Sequence, residues 1–347
     1  MIIENIVIKN FRNLEHVKLI PNEKKNYIIG DNAQGKTNIL ESLYFLSYIK
    51  SYRTNDINNL YDKKKELSID AVVVSNKVRN KININCQSKI KNIYLNNSVV
   101  KIKKLSEIIN IIFYYPSEIN LLLKFPSYRR NLIDKSIYLF NSNYVDIHNS
   151  YIKCLKNRNV CLKKNKDDYI WREKLIDLSF MITELRINYI NRINKLIRSF
   201  NIYDNEHYEI YYNNYDISNY KNELKNKFKT SEEKDKKNGY TSIGPHTEDI
   251  IFNLNGNNIS YYGSEGQKKT FILLYKYAQI LDYESIKGDY PVFLVDDLTS
   301  ELDSCRENFI LNKILLECEQ SFITSNSEPK KLSENTSIFY VNNGMIS

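Results

Sequence analysis

Apolar and polar positions change their rhythm twice along the chain. Ile2 to Lys9 is rich in β-branched residues, and Val17 to Ile20 follows a polar turn, so two strands are predicted at the start. Tyr27, Ile28 and Ile29 read as the end of a buried strand. Ile39, Leu40, Leu43, Tyr44 and Leu46 then fall at helical spacing. Residues 67–74 and 81–95 look like further strands, with Asn96-Asn97 as a hairpin turn. The rhythm changes near Tyr115-Pro116. From Ser117 to Phe200 the pattern is long, polar and helical. Leu175, Leu178, Ile182, Leu185, Tyr189, Ile193, Leu196 and Phe200 form a narrow apolar stripe of about seven turns. Ser142 to Lys163 is its candidate antiparallel partner. A lysine-rich stretch, 221–238, ends at Gly239 and reads either as the exit from this insertion or as a solvated surface loop.

After Gly239 the β/α rhythm returns. Gly244-Pro245-His246 is a turn. Ile250–Leu254, Gly256-Asn257 and Ile259–Tyr262 read as a hairpin. A helix is predicted from Ser264 through Tyr283, a buried strand at 291–295, a helix at about 305–318, and a last strand pair from Ser321. The expected fold is therefore α/β. One domain is assembled from 1–115 and 239–347, and a helical arm spans 116–238.

Two short stretches carry candidate chemistry. Gly30-Asp31-Asn32-Ala33-Gln34-Gly35-Lys36-Thr37 satisfies G-x-x-x-x-G-K-[ST], between a strand and a helix as that motif requires. Its glycines let backbone amides approach phosphates, and the helix start adds partial positive charge. Lys36 can reach β- and γ-phosphates, and the Thr37 hydroxyl can ligate Mg²⁺. The second stretch, Pro291 to Asp297, is an apolar run closed by two acids. Such a run suits a central parallel strand with its carboxyl end at a ligand crevice. Asp296 is placed to hold the Mg²⁺ shell and Asp297 to orient or deprotonate an attacking water. Ser264-Glu265-Gly266-Gln267-Lys268 opens a helix; alone, it is a capped helix start.

Charge adds a partner class. The net charge is +9 with pI near 9.0, which suits an acidic partner such as nucleic acid. Residues 116–239 hold 23 Lys and Arg against 16 Asp and Glu, so +7 of the excess lies on the helical part. Heavy use of Asn, Ile, Lys and Tyr reads as codon bias and discounts part of this argument. The five cysteines are scattered, with no C-x-x-C pair, so neither a disulfide framework nor a zinc site is supported. No secretory segment begins the chain and no apolar run approaches the roughly 20 residues of a membrane span. A soluble, cytoplasmic protein without a membrane partner is expected.

The order of pieces (phosphate loop, helical insertion, Ser264 helix, acidic strand, Thr299-Ser300-Glu301-Leu302-Asp303) resembles ABC-type ATPase heads of the SMC group, and within it the RecF family of bacterial recombination mediators. Asn10-Phe11-Arg12-Asn13, Gly30 to Asn38, Pro126-Ser127-Tyr128-Arg129-Arg130, Gly244-Pro245-His246, Gly263 to Lys268 and Asp296-Asp297 carry the likeness across most of the chain. Thr247 stands where the family usually has Arg, Glu265 where it has Gln, and Ser117-Glu118 weakens its P-E-D segment. The resemblance implies an ABC-type P-loop ATPase head split in sequence, with an inserted helical arm. It implies ATP and Mg²⁺ as cofactors, an ATP-dependent homodimer, and binding to single-stranded and gapped duplex DNA. It further implies RecO and RecR as partners, helping RecA load in recombinational repair, the SOS response and replication restart. ATP hydrolysis would be DNA-dependent, and it would be slow because Asp297 stands where many ABC enzymes have Glu. Ser264, Gly266 and Gln267 would reach the nucleotide of a second copy, with Asp303 as the D-loop acid. Arg12 would approach the nucleotide or be an ordinary strand-end surface arginine, and Arg129 and Arg130 are candidate DNA contacts or ordinary helix-surface residues. The rivals are the ATPase subunit of a membrane transporter and a DNA scaffold with negligible turnover.

Overall fold

The computed structural model describes residues 1–62, 64–88, 90–200, 205–212, 217–297, 313–329 and 335–346. The chain divides into two compact units, Met1–Glu118 with Lys269–Ser347, and Ile119–Lys268. Residues 239–268, expected with the first part, fall in the second unit.

The first unit holds two sheets. One is antiparallel, in the order β2-β1-β4-β5-β6-β7, from β1 (Ile2–Phe11), β2 (Leu14–Leu19), β4 (Leu67–Ser75), β5 (Val78–Gln87), β6 (Ile90–Leu95) and β7 (Ser98–Val99). In β4, Leu67, Ile69, Ala71 and Val73 all point inward, the period-two burial of a sheet with one covered face. Asn76-Lys77 and Asn96-Asn97 all have positive φ, as two-residue hairpin turns require. The second sheet has the order β15-β14-β3-β13-β12-β8, from β3 (Lys25–Ile29), β8 (Ile111–Tyr114), β12 (Val292–Val295), β13 (Ser321–Ser325), β14 (Thr336–Asn342) and β15 (Met345–Ile346). From β14 to β8 every pairing is parallel. All four residues of β12 are buried, as its continuous apolar run predicts. β13 and β14 are not a pair: each hydrogen-bonds a different edge of β3, which lies between them.

Helix α1 (Lys36–Tyr48) joins the two sheets. Ile39, Leu40, Leu43, Phe45 and Leu46 share one core with Ile3, Ile6 and Ile8 of β1, Ile28 of β3 and Val292 of β12. Truncating any of these leucines or isoleucines to Ala should cost about 2–5 kcal/mol. A short α2 (Ile102–Leu105) precedes β8.

The second unit is mainly helical: α3 (Glu118–Lys124, beginning at the junction), α4 (Pro126–Tyr138), α5 (Ser142–Lys163), α6 (Tyr169–Ser199), α7 (Ile217–Thr230) and α8 (Glu232–Asn238). The Asn141 side chain accepts hydrogen bonds from the first turn of α5. α5 and α6 pack together across the short 164–168 connection, the pairing expected from the apolar stripe. Leu175, Ile182, Tyr189 and Ile193 are buried, and Leu178, Leu185 and Leu196 are half-buried. The buried face of α6 also carries charge. Arg186 makes a two-point ion pair with Asp134 (2.8 and 2.9 Å) and donates to the Pro245 carbonyl. On α5, fully buried Arg158 meets Asp168 and Asp235 at 2.7 Å each, over the Phe228 ring. The lysine-rich 221–238 stretch is helix, in α7 and α8, with Gly239 in the left-handed region ending α8.

A small sheet, β9 (Tyr208–Tyr211), β10 (Ile251–Leu254) and β11 (Asn257–Asn258), completes this unit in the order β11-β10-β9. Here the expected hairpin is corrected. Residues 259–262 are the helical turn α9 (Ile259–Tyr262), because the Asn258 side chain caps the Ser260 amide and turns the chain out of the ladder. Helix α10 (Glu265–Lys287) follows. The helix expected at about 305–318 lies largely outside the described residues; Leu315–Glu317 is helical.

Candidate functional site

β3 ends at Ile29 and the loop 30–35 carries the chain into α1. A Cβ at Gly30 would sit 2.4 Å from the Val341 carbonyl, so only glycine passes there. Gly35, at φ 117°, is the N-cap of α1, and no side chain caps that helix. A cavity of about 610 Å³ lies over this helix start, and Lys36, Thr37, Arg53, Ser117, Asp296 and Asn326 are among its lining residues. All but Arg53, which follows α1, come from the segments that leave the carboxyl ends of β3, β8, β12 and β13, where parallel sheets place their ligand crevices.

Lys36 is buried in the loop. Its Nζ donates to the carbonyls of Gly30 (2.6 Å) and Asp31 (2.9 Å) and to Asn326 Oδ1 (2.8 Å). Burial pulls its pKa below the ordinary lysine range, against the opposing pull of Asp296, Asp297 and Asp31. Thr37 Oγ1 donates to Asp296 Oδ1 at 3.2 Å, and Thr324 Oγ1 donates to the same oxygen at 2.6 Å. Burial raises the Asp296 pKa, opposed by those two hydrogen bonds and reinforced by neighbouring Asp297. Asp297 has φ 48° and its amide donates to Thr324 Oγ1, which fixes it beside the cavity it lines.

The loop is held from outside by groups that sequence reasoning did not assign. Gln34 accepts at its side chain from the Asn343 amide (2.6 Å) and at its carbonyl from the Gly344 amide (2.8 Å). Asn13 donates to the Gln34 carbonyl and accepts from Asn38. Behind the loop, fully buried Glu41 receives Nε and Nη2 of Arg12 at 3.0 and 2.8 Å, Nη1 of Arg53 at 3.3 Å and the Ser51 hydroxyl. Arg12 Nη1 donates to the Asn59 carbonyl. Arg12 is thus committed to Glu41 and is not among the residues lining the cavity, whereas Arg53, which the sequence reading missed, is. Thr324, Ser325 and Asn326 were missed as well. Their signal was present: Phe322-Ile323 is an apolar strand end closed by polar residues, like Val295-Asp296.

The Ser264 segment lies in the second unit. The Ser264 amide donates to Gln267 Oε1 (2.9 Å) and the Gln267 amide to Ser264 Oγ (3.2 Å), a reciprocal capping box. The Gln267 side-chain amide donates to Glu206. Asp303 lies outside the described residues. Arg129 is buried, forked onto Asp249 (3.0 and 2.7 Å) and donating to the carbonyls of Leu122 and Leu123, so it ties α3 to the strand region and offers no free guanidinium. Arg130 donates to the Glu248 carbonyl. His246 is held between the Tyr151 hydroxyl and the Thr241 carbonyl, and Thr247 Oγ1 closes the turn onto the Gly244 carbonyl. Glu118, the acid of the weakened segment, makes a buried ion pair with Lys276 at 2.9 Å in the first unit.

No protein-family model matches the chain. Among curated proteins, it is 32% identical to the DNA replication and repair protein RecF of Alkaliphilus oremlandii, over all of both chains. It is 34% identical to that of Clostridium acetobutylicum, over 100% of this chain and 99% of the relative. With that of Clostridium kluyveri it shares 35%, over all of both. Among solved structures, the recombination mediator protein RecF-ATP in the RecFOR pathway superposes with a TM-score of 0.88 at 31% identity, covering 99% of this chain and 98% of that one. An Smc head bound to the C-winged helix domain of ScpA matches at TM-score 0.59 and 14% identity, a likeness of fold alone. The architecture is thus that of an ABC-type ATPase head with a helical insertion.

Proposed function

This chain belongs to the RecF family, and on that premise we propose that it is a DNA repair protein whose grip on DNA is gated by ATP. The observation that carries the reading is the convergence of Lys36, Thr37 and Asp296 on one cavity at the ends of parallel strands. The residues present fit a nucleoside triphosphate with Mg²⁺. Gly35 leaves the α1 start uncapped by any side chain, and buried Lys36 supplies a point charge to β- and γ-phosphates. Among the described residues no three His, Cys, Asp or Glu side chains form a metal cage. Thr37 and Asp296 alone suit Mg²⁺, which keeps water and phosphate oxygens in its shell. The bound cation supplies charge neutralisation to the phosphates. The amides of Asp31, Asn32, Ala33 and Gln34 line the loop, Arg53 faces the same cavity, and Asp297 orients the attacking water. Asp297 is one methylene shorter than Glu, so turnover is slow.

Ser264, Gly266, Gln267 and Asp303 act on the nucleotide of a second copy, so that ATP closes a homodimer. The excess of basic residues in 116–239 supports DNA contact. Single-stranded and gapped duplex DNA, with RecO and RecR as partners in loading RecA, are the family's expectation carried to this chain. A gel shift on gapped against intact duplex tests the reading. Wild type should bind the gapped substrate only with ATP and Mg²⁺, and binding should weaken steeply with salt. Lys36→Ala binding as well as wild type would refute the gating. Mixing Lys36→Ala with Ser264→Ala chains should restore one working site per mixed dimer; no gain over either alone would refute the cross-copy arrangement.

A further inference from the structure

The two most exposed large apolar side chains among the described residues are neighbours. Tyr261 is 82% and Tyr262 75% exposed, on the single turn α9 directly before Ser264. The turn is rigidly set. Asn258 caps its start, the Gly263 amide donates to the Ile259 carbonyl, and a Cβ at Gly263 would meet Ile259 Cγ1 at 2.5 Å. Two aromatic rings are therefore held in water at a fixed place beside the capped start of α10. Water-facing aromatics on an ordered turn are the usual anchors of an interface.

The first unit exposes a matching patch beside its phosphate loop. Asn343 and Gly344 make a tight turn with both φ positive, and a Cβ at Gly344 would lie 2.2 Å from the Asn13 carbonyl. Gln34 of the loop binds both turn amides. The next residue, Met345, is 68% exposed, and Tyr340, in register with Ile29 at the end of β3, is 44% exposed. The apolar rim is thus pinned to the loop itself.

We propose that Tyr261 and Tyr262 of one copy dock on the Met345–Tyr340 rim of a second copy when ATP is bound. The inference rests on the reading that Ser264 meets a second copy's phosphate loop. That reading brings each tyrosine pair, within three residues of Ser264, toward a rim that is hydrogen-bonded to the same loop. Thioether against aromatic ring is a favourable contact, and both sides bring apolar surface that is otherwise wet. The pair acts as an anchor for the second copy while the phosphate contacts supply the nucleotide dependence.

The test uses the full-length chain with p-benzoylphenylalanine in place of Tyr262, a photoprobe that favours methionine. It is mixed with isotopically heavy wild-type chain, with and without ATP and Mg²⁺, and dimerisation is followed in parallel by sedimentation. The expected result is an ATP-dependent crosslink from position 262 to the heavy peptide containing Met345. Tyr261→Ser/Tyr262→Ser should bind ATP as a monomer like wild type but dimerise at least about tenfold more weakly, the loss typical of interface anchors. An ATP-dependent dimer whose crosslinks fall elsewhere, or on added oligonucleotide, overturns the docking while leaving the cross-copy reading intact. Wild type that stays monomeric with ATP overturns the cross-copy reading, and the docking with it.

Discussion

The phosphate loop and the Ser264 turn are both glycine-bearing helix starts, and the fold equips them in opposite ways. Gly35 gives α1 no side-chain cap, while Asn13, Asn343 and Gly344 hold Gln34 of the loop from its outer side, and Glu41 of α1 collects Arg12 and Arg53 behind it. Ser264 and Gln267 instead satisfy each other's amides, so α10 begins already capped. The first start is prepared for an external anion, because its amides are left for a ligand and its shape is set by neighbours. The second offers its exposed hydroxyl and the adjacent tyrosines as a finished surface. One half of the proposed site is a receptor and the other a lid piece, and substitutions should tell them apart.

The largest effect is expected at Glu41. Its removal leaves Arg12 and Arg53 beside an unfilled buried position, so Glu41→Ala should cost about 3–5 kcal/mol in denaturant unfolding and weaken nucleotide binding together. A variant of wild-type stability would mean that the loop does not depend on its rear support. Gly30→Ala comes next. Its methyl group would press on the Val341 carbonyl, and a loss of about 1–3 kcal/mol with reduced ATP affinity is expected from the overpacking.

Asp296→Asn should go the other way. Burial raises the Asp296 pKa in the fold, so its ionised form is a cost that grows as pH rises through the folded value. Asn removes that cost: a gain of roughly 0.5–2 kcal/mol at neutral pH, with Mg²⁺-dependent nucleotide binding lost, is the expected pairing. The gain should fade as pH falls toward the ordinary carboxylate value of 3.8. Melting curves at pH 4 and pH 7.5, with and without nucleotide, check both signs. The smallest effect is at the second start. Ser264→Ala should lose about 1 kcal/mol as a missing cap and keep nucleotide binding within one chain, yet fail in ATP-dependent DNA binding. If it lost nucleotide affinity as severely as Glu41→Ala, the division between receptor and lid would collapse.

Much of this was written in local pattern. The 30–37 motif, the apolar strand ending at Asp296, the Asn96-Asn97 turn and the paired helices α5 and α6 follow from spacing and turn chemistry alone, because each depends on residues close in sequence. Where Asn258 caps a turn, local chemistry also explains why 259–262 left the predicted strand. What the chain could not declare is which distant groups meet. Arg12 and Arg53 read alike as basic residues near a strand end and a loop, yet Glu41 takes the whole fork of Arg12 while Arg53 reaches the cavity. Asn326 reaches Lys36, and Thr324 shares an oxygen of Asp296, only because β13 is inserted between β3 and β12. Strand order in a parallel sheet is set by long-range packing, which no local rhythm encodes. The sequence by itself determined that a phosphate loop, an acidic strand and a helical insertion exist. Tertiary structure decided which carboxylate gathers Arg12 and Arg53, which of these arginines lines the cavity and which tyrosines remain in water.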